Sequence, residues 1–334
     1  MSANVQTMMY TGQVPWHGIG KKVERELTAA NAIKAAGLNW TVEKREMWFV
    51  DKIKQSKKLK KVASLVPNRF VVVKTDTETP LGVVGNKYTA LQNIEAFSFF
   101  DAVVGEKAAI YHTAGALGQG ERIWILAKIP GLMKVKGTKD DVLEKYMLLC
   151  NGHDGSIQVM VCLTNVRVVC QNTMMMAIDG AKNIFKMRHT ANMGERVEDV
   201  RETLGIVNKW YDDFNDKLGL LTHYNMKQKD LDTFLQGMGF ATDAESMEKA
   251  STREMNVKKK LIELFETGPG NELPGVKGTL WAAVNAVTDY VDHHKTFRKD
   301  GNGSTSMNRL NSVWFGGGND MKQRAMKVAS LMID

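Results

Sequence analysis

WTVEKREMWFV (40–50), KIKQSKKLKK (52–61) and RFVVVKT (69–75) follow one another with few residues between them. The outer two are rich in β-branched and aromatic residues, the composition of a pleated, half-buried surface. The middle one places six lysines and no acid in ten positions. The chain thus sets its densest positive charge at the connection between two predicted strands.

Two uses of that charge compete. Exposed lysines bind backbone phosphates, with a salt dependence that comes from counterion release. A hairpin tip built this way follows a sugar–phosphate chain without reading its sequence. Lysines also protect a sheet edge from pairing with other chains, and charge runs are commonly solvated faces. The uninterrupted run favours nucleic acid, as do Trp48, Phe49 and Phe70 in the flanking strands. Basic groups beside stacking rings make a single-strand groove, at roughly 1–3 kcal/mol per stacked base. The same rings would equally serve a core.

Outward from this run, charge divides unevenly. Residues 1–190 hold 26 Lys and Arg against 16 Asp and Glu, whereas residues 191–334 hold 19 against 21. Positive potential is confined to the first part, as expected if that part meets a polyanion. The chain has 334 residues, enough for one large domain or two modest ones. Its composition, 43% hydrophobic and 25% charged, is that of a globular protein. No apolar run reaches membrane-spanning length, and the first residues lack a signal-peptide layout. Cys150, Cys162 and Cys170 are odd in number, sit in apolar surroundings and have no metal-ligand spacing. Buried structural thiols in a reducing cytoplasm are expected.

Residues 27–38 read as a helix closed by Gly37, and 93–106 as a helix with one apolar face. Strands are expected at 40–51, 62–66, 69–76 and 81–85, with Pro67-Asn68 and Thr79-Pro80 as breaks. AAIYHTAGAL and ERIWILAKI, joined by GQG, predict a hairpin. YMLLCNGHDGSIQVMVCLT predicts another, turning at NGHDG. NVRVVCQNTMMMAI (165–178) reads as a helix, with strand as the alternative, and FKMRHT as a further strand. Beyond about residue 192 the period is helical, in five helices separated by GPGNELPG (268–275) and RKDGNGSTS (298–306). The expected fold class is α+β: an antiparallel β-sheet with helices in a basic region 1–190, then a helical region 191–334.

Other motifs are weaker. GALGQG (115–120) matches no phosphate loop and reads as a turn. His153 and Asp154 are side by side, as an acid/base pair would require, but adjacent turn residues seldom share a pocket. Asp292, His293 and His294 lack a further metal ligand and suit a helix end. PWHGIG (15–20) fits either a clamp on a partner or an arm packed on the body. No nucleophile elbow, HExxH or two-metal carboxylate cluster is visible, so an enzyme is not the first reading.

VPWHGIG, LTNVRVVCQNT, GTLWAAVNAVTDYVDHH and SVWFGGGNDMKQRAMKVA together resemble the phage/plasmid-like protein family, domain of unknown function 932. The resemblance runs from about residue 8 to 332. It implies phage or plasmid biology and a grouping with Rad52-like single-strand annealing proteins. Such proteins bind single-stranded DNA by its backbone, work as homo-oligomeric rings or filaments, and need no cofactor or metal. On that reading Lys57, Lys58, Lys60 and Lys61 grip phosphate, flanked by Lys52 and Lys54, with Trp48 and Phe70 as stacking rings. Arg69 and Lys74 would extend the groove and Arg167 would add to it. Asn165, Gln171 and Asn172 would hydrogen-bond the strand, or else pin the fold. The helical region, with its small acidic excess, is expected to serve subunit contacts or to recruit a replication or single-strand-binding protein.

Overall fold

In the computed structural model Lys52 and Lys54 lie on one strand and Lys58, Lys60 and Lys61 on its partner, rather than in a loop between strands. The structure describes residues 5–11, 20–23, 28–55, 58–104, 110–167, 173–175, 184–189, 207–296, 312–313 and 316–334. The expected boundary at 190, residues 15–19 of the PWHGIG motif, Cys170, Gln171, Asn172 and the loop 298–306 fall outside them.

Three strands, β3 (Val42–Gln55), β4 (Lys58–Lys74) and β5 (Thr79–Gly85), form a small antiparallel sheet in that order. β4 joins two segments that Pro67-Asn68 was expected to separate. The break is absorbed as a bulge: pairing runs to Trp48↔Leu65 and resumes at Glu46↔Phe70, so Met47 alone faces Val66–Arg69. Asn68 adopts φ 56°, a left-handed conformation that asparagine tolerates well. A proline here removes no ladder bond, which is why the strand survives it.

The larger sheet contains β1 (Val5–Thr11), β2 (Lys21–Val23), β6 (Ile110–Leu117), β7 (Arg122–Lys134), β8 (Val142–Gly152), β9 (Val159–Arg167), β10 (Thr173–Met175) and β11 (Ile184–Met187). Their order is β10-β9-β8-β7-β6-β1-β2, with β11 also on β9. β1 and β2 pair in parallel and the other pairs are antiparallel. Both expected hairpins are present. The helix read over 165–178 is corrected: Asn165–Arg167 continue β9, and Thr173–Met175 form β10. Val166 and its β-branched neighbours suit a pleat better than a helix, so the strand alternative prevails.

Helices α1 (Ala29–Ala35) and α2 (Asn93–Val104) accompany the strands. Thr28 caps α1 by accepting from the Asn31 N–H, and Gly37 at φ 65° ends it. The helical half comprises α3 (Val207–His223), α4 (Gln228–Gly237), α5 (Ala244–Lys249), α6 (Thr252–Thr267), α7 (Leu280–Asp289), continued by a π turn (Tyr290–His294), and α8 (Gly317–Ile333). The single helix expected over 248–266 is two, because Ser251 accepts from the Glu254 N–H and starts α6 afresh. All ten residues of α7 are buried, making it the central helix.

One core joins the halves. It runs from Met9, Ile33 and Phe97 through Ile125, Met147 and Leu163 to Phe214, Trp281 and Met326. At roughly 1.5–3 kcal/mol per fully buried large side chain, this shared burial dominates the fold. Two polar contacts fix its register. The Trp281 indole N–H donates to Asp141 at 2.8 Å, and the Tyr211 hydroxyl donates to the Tyr146 carbonyl at 3.0 Å. The opposite sheet face carries a second buried cluster with Tyr10, Trp124, Tyr146, Cys150 and Cys162. Burial pushes both thiols up, Cys162 to about 12, so they are inert packing groups.

Candidate nucleic-acid interface

The small sheet is anchored at its base. Gln92 exchanges two hydrogen bonds with the Val42 backbone, each 3.0 Å long. Gly82 of β5 meets the turn after β8 so closely that a Cβ there would lie 2.5 Å from Asp154 Cα. β5 pairs with β4 from Arg69 to Lys74 and no further. Beyond that, Trp48↔Leu65 through Gln55↔Lys58 form a two-stranded arm with no third strand among the described residues. At about 3.4 Å per residue its length is about 24 Å.

The expected site residues divide between arm and base. Lys52 and Lys61 are exposed cross-strand partners on the arm. Lys54, Lys58 and Lys60 occupy ladder positions toward its end, with side chains outside the described ones. Lys57 lies outside the described residues altogether. Trp48 is 53% exposed. Arg69 is exposed in the bulge at the base of the arm. Arg167 ends β9, on the larger sheet, and its side chain is outside the described ones.

Two expected residues are placed elsewhere. Lys74 is buried, 4.8 Å above the Trp40 ring and 3.5 Å from Asp76, so its ammonium is a packing element and not part of a surface groove. Strand register, which the sequence leaves open, turns it inward. Phe70 is half-buried against the core, and Lys44 covers its ring at 4.8 Å. Lys44 also donates to the Asn86 and Tyr88 carbonyls. That ring face is taken. Alternation along the strand misses both cases because the bulge resets the parity between Glu46 and Trp48.

The arm also exposes residues that sequence reading passed over. Val50 is 60% and Leu65 45% exposed, next to Trp48 and Phe49. Strand alternation with no covering layer would have flagged them. Together these four make an exposed apolar patch on an otherwise charged ribbon. Charge near the base is already paired. Arg45 is bound by Glu43 and Glu78, which raises its pKa and lowers that of Glu78. Among the described residues, no ion pair engages Lys52 or Lys61.

The other titratable motifs are structural. His153 is fully buried with Nε2 2.9 Å from Asn93 Oδ1, and burial holds its pKa near 3, so the ring is neutral. Asp154 accepts from the Ser156 N–H and hydroxyl, fixing the turn. Asp292 is ion-paired with Lys322 of α8, both buried. Asn165 is buried within the sheet and not on a surface a strand could reach. Glu144 accepts from Lys128 and from the Tyr146 hydroxyl; burial raises its pKa, but those bonds outweigh it and the net shift is downward. Among the described residues, no group of three His, Cys, Asp or Glu is placed to hold a metal ion. None of the described helices is long and apolar enough to cross a membrane.

The chain matches a known family model. The model of a domain of unknown function, DUF932, covers residues 80–314. The chain belongs to the DUF932 family. The matched DUF932 span begins within β5, so the arm precedes it in sequence. No curated protein and no solved structure matches the chain.

Proposed function

We propose that this DUF932 protein binds single-stranded DNA without regard to sequence and anneals complementary strands, in the recombination of phage or plasmid DNA in the manner of Rad52-like proteins. The observation that carries the reading is the arm: a basic two-stranded ribbon, with no covering layer among the described residues and with exposed aromatic and aliphatic side chains at its root. Lysines along it supply phosphate contacts, and each contact makes binding salt-sensitive. Exposed rings supply stacking that tolerates every base. Neither needs a cofactor. In this reading the protein works as a homo-oligomer in the cytoplasm, with the helical half available for subunit contacts or for a replication or single-strand-binding partner.

The test is fluorescence anisotropy with a labelled single-stranded oligonucleotide and its duplex across several salt concentrations. Tighter single-strand binding with a steep salt slope is expected, followed by accelerated annealing of complementary oligonucleotides. Absence of binding at low salt overturns the proposal.

A second reading rests on a different surface. Met247 and Met255 are exposed beside Ala241, Ala250 and Ile262 in a groove between α5 and α6. Flexible methionines suit adaptable protein contacts. In this reading the chain engages a host protein, and a nuclease-treated pull-down returns one stoichiometric partner that Met255→Glu abolishes.

A further inference from the structure

The ladder sorts the arm into two unlike faces. Successive strand residues point to opposite sides, and directly paired residues share a side. Trp48, Val50 and Lys52 therefore share one face with their partners Leu65, Ala63 and Lys61. Phe49 and Asp51 lie on the other, with Ser64 and Val62. The first face carries an exposed indole, two cations and no acid among these six residues. The second carries Asp51, whose carboxylate accepts from the Lys52 N–H and stays exposed beside Phe49.

We infer that one DNA strand lies along the Trp48 face of the arm, with a base stacked on Trp48 and phosphates on Lys52 and Lys61, while the Phe49 face carries no strand. This rests on the single-strand reading proposed above and names the surface it uses. Among the described side chains of the arm, the charge pattern favours the Trp48 face. A phosphate chain passing Phe49 meets the Asp51 carboxylate, and like charges in proximity oppose binding. A chain passing Trp48 meets a lysine on each strand of the ribbon, about four residues or roughly 14 Å along from the ring. An extended single strand covers that distance within a few nucleotides, so one short segment reaches both the ring and the lysines. Val50, Ala63 and Leu65 supply the apolar floor on which a base edge or sugar rests. One arm then holds one strand, so pairing brings in the complementary strand from another protomer or from solution.

The experiment is anisotropy with a labelled oligothymidylate and with the same length of abasic strand, on the full chain. Trp48→Ala is expected to weaken oligothymidylate binding about 10- to 100-fold, the range of one base stack. Trp48→Phe restores most of it, and Phe49→Ala changes it less than about twofold. On the abasic strand, which has nothing to stack, Trp48→Ala has no effect. Equal losses for Trp48→Ala and Phe49→Ala overturn the face assignment. So does an equal loss on the abasic strand, which would mean that the indole supports the arm and not the base. Binding that depends on Lys52 and Lys61 but on neither ring also overturns it, while leaving single-strand binding intact. Failure of the unmodified chain to bind either strand removes the function itself.

Discussion

Lys52 and Lys61 stand directly opposite each other across the β3–β4 ladder, both exposed. Like charges at paired positions destabilise a ribbon by a few tenths to about 1 kcal/mol. The pair therefore serves something other than stability. Lys61→Glu converts it into an opposite-charge pair, so thermal unfolding is expected to stay level or rise slightly. Single-strand affinity should fall, and the logarithmic salt slope should flatten by about 0.7 for each phosphate that is no longer neutralised. A variant that binds with the parental slope would remove this pair from the interface.

Lys74 makes the opposite prediction. Buried over Trp40 and beside Asp76, it contributes packing and a desolvated cation–π contact. Lys74→Ala is expected to lower stability by about 2 kcal/mol in urea unfolding and to leave the salt slope of binding unchanged. A flattened slope with full stability would return Lys74 to the interface.

His153 couples the turn after β8 to α2 and should make stability depend on pH. Burial, with His189 nearby, lowers its pKa from 6.5 to about 3. Unfolded, the ring takes up its proton near pH 6.5, whereas folded it stays neutral down to about pH 3. The unfolded state therefore binds more protons in this window, and stability falls with falling pH, by up to about 1.4 kcal/mol per unit. His112 and His189 shift in the same direction. Urea midpoints measured between pH 7 and pH 5 should show the loss, and His153→Gln should reduce the slope without removing it.

Asp292 and Lys322 form a buried ion pair between the π turn and α8. Burial lowers the Lys322 pKa, and the carboxylate opposes that shift. Breaking such a pair leaves one charge uncompensated, at about 3–5 kcal/mol. Lys322→Met and Asp292→Asn are each expected to cost that much. The double variant should cost clearly less than their sum, and additive losses would show that the pair is not coupled.

Gly82 holds the base of the arm against the β8–β9 turn. A Cβ there would meet the Asp154 backbone, which cannot swing aside as a flexible side chain can. Gly82→Ala is expected to lower stability by about 1–3 kcal/mol, through overpacking. Hydrogen exchange should show the loss concentrated in β4, β5 and residues 152–156. Uniform loss across the chain would place the strain elsewhere.

Much of this molecule was legible in local pattern. Turn residues between apolar runs gave the two hairpins of the larger sheet, and the helical period beyond residue 192 gave α3, with Phe214 and Leu218 inward. Composition gave the lysine run, whereas its place on β3 and β4, not between strands, came from the pairing. These signals are local because side-chain direction repeats every 2 or 3.6 residues and needs no knowledge of the partner. β1 and β2 were missed: β1 is completed by strand β6, a hundred residues further along, and three residues of β2 carry too little pattern.

What each site residue does was decided in three dimensions. Lys61 and Lys74 are both lysines on β4, yet one faces solvent and the other lies over Trp40. Trp48 and Phe70 are both rings on adjoining strands, yet one is bare and the other is covered by Lys44. Sequence fixes which residues alternate, but a bulge of Val66–Arg69 opposite Met47 sets which alternate is in. The end of β5 pairing at Arg69 sets where covering stops. Charge content is a property of the chain. Whether a charge is spent on the fold or left for a ligand depends on which strand lies beside it, and that is a tertiary fact.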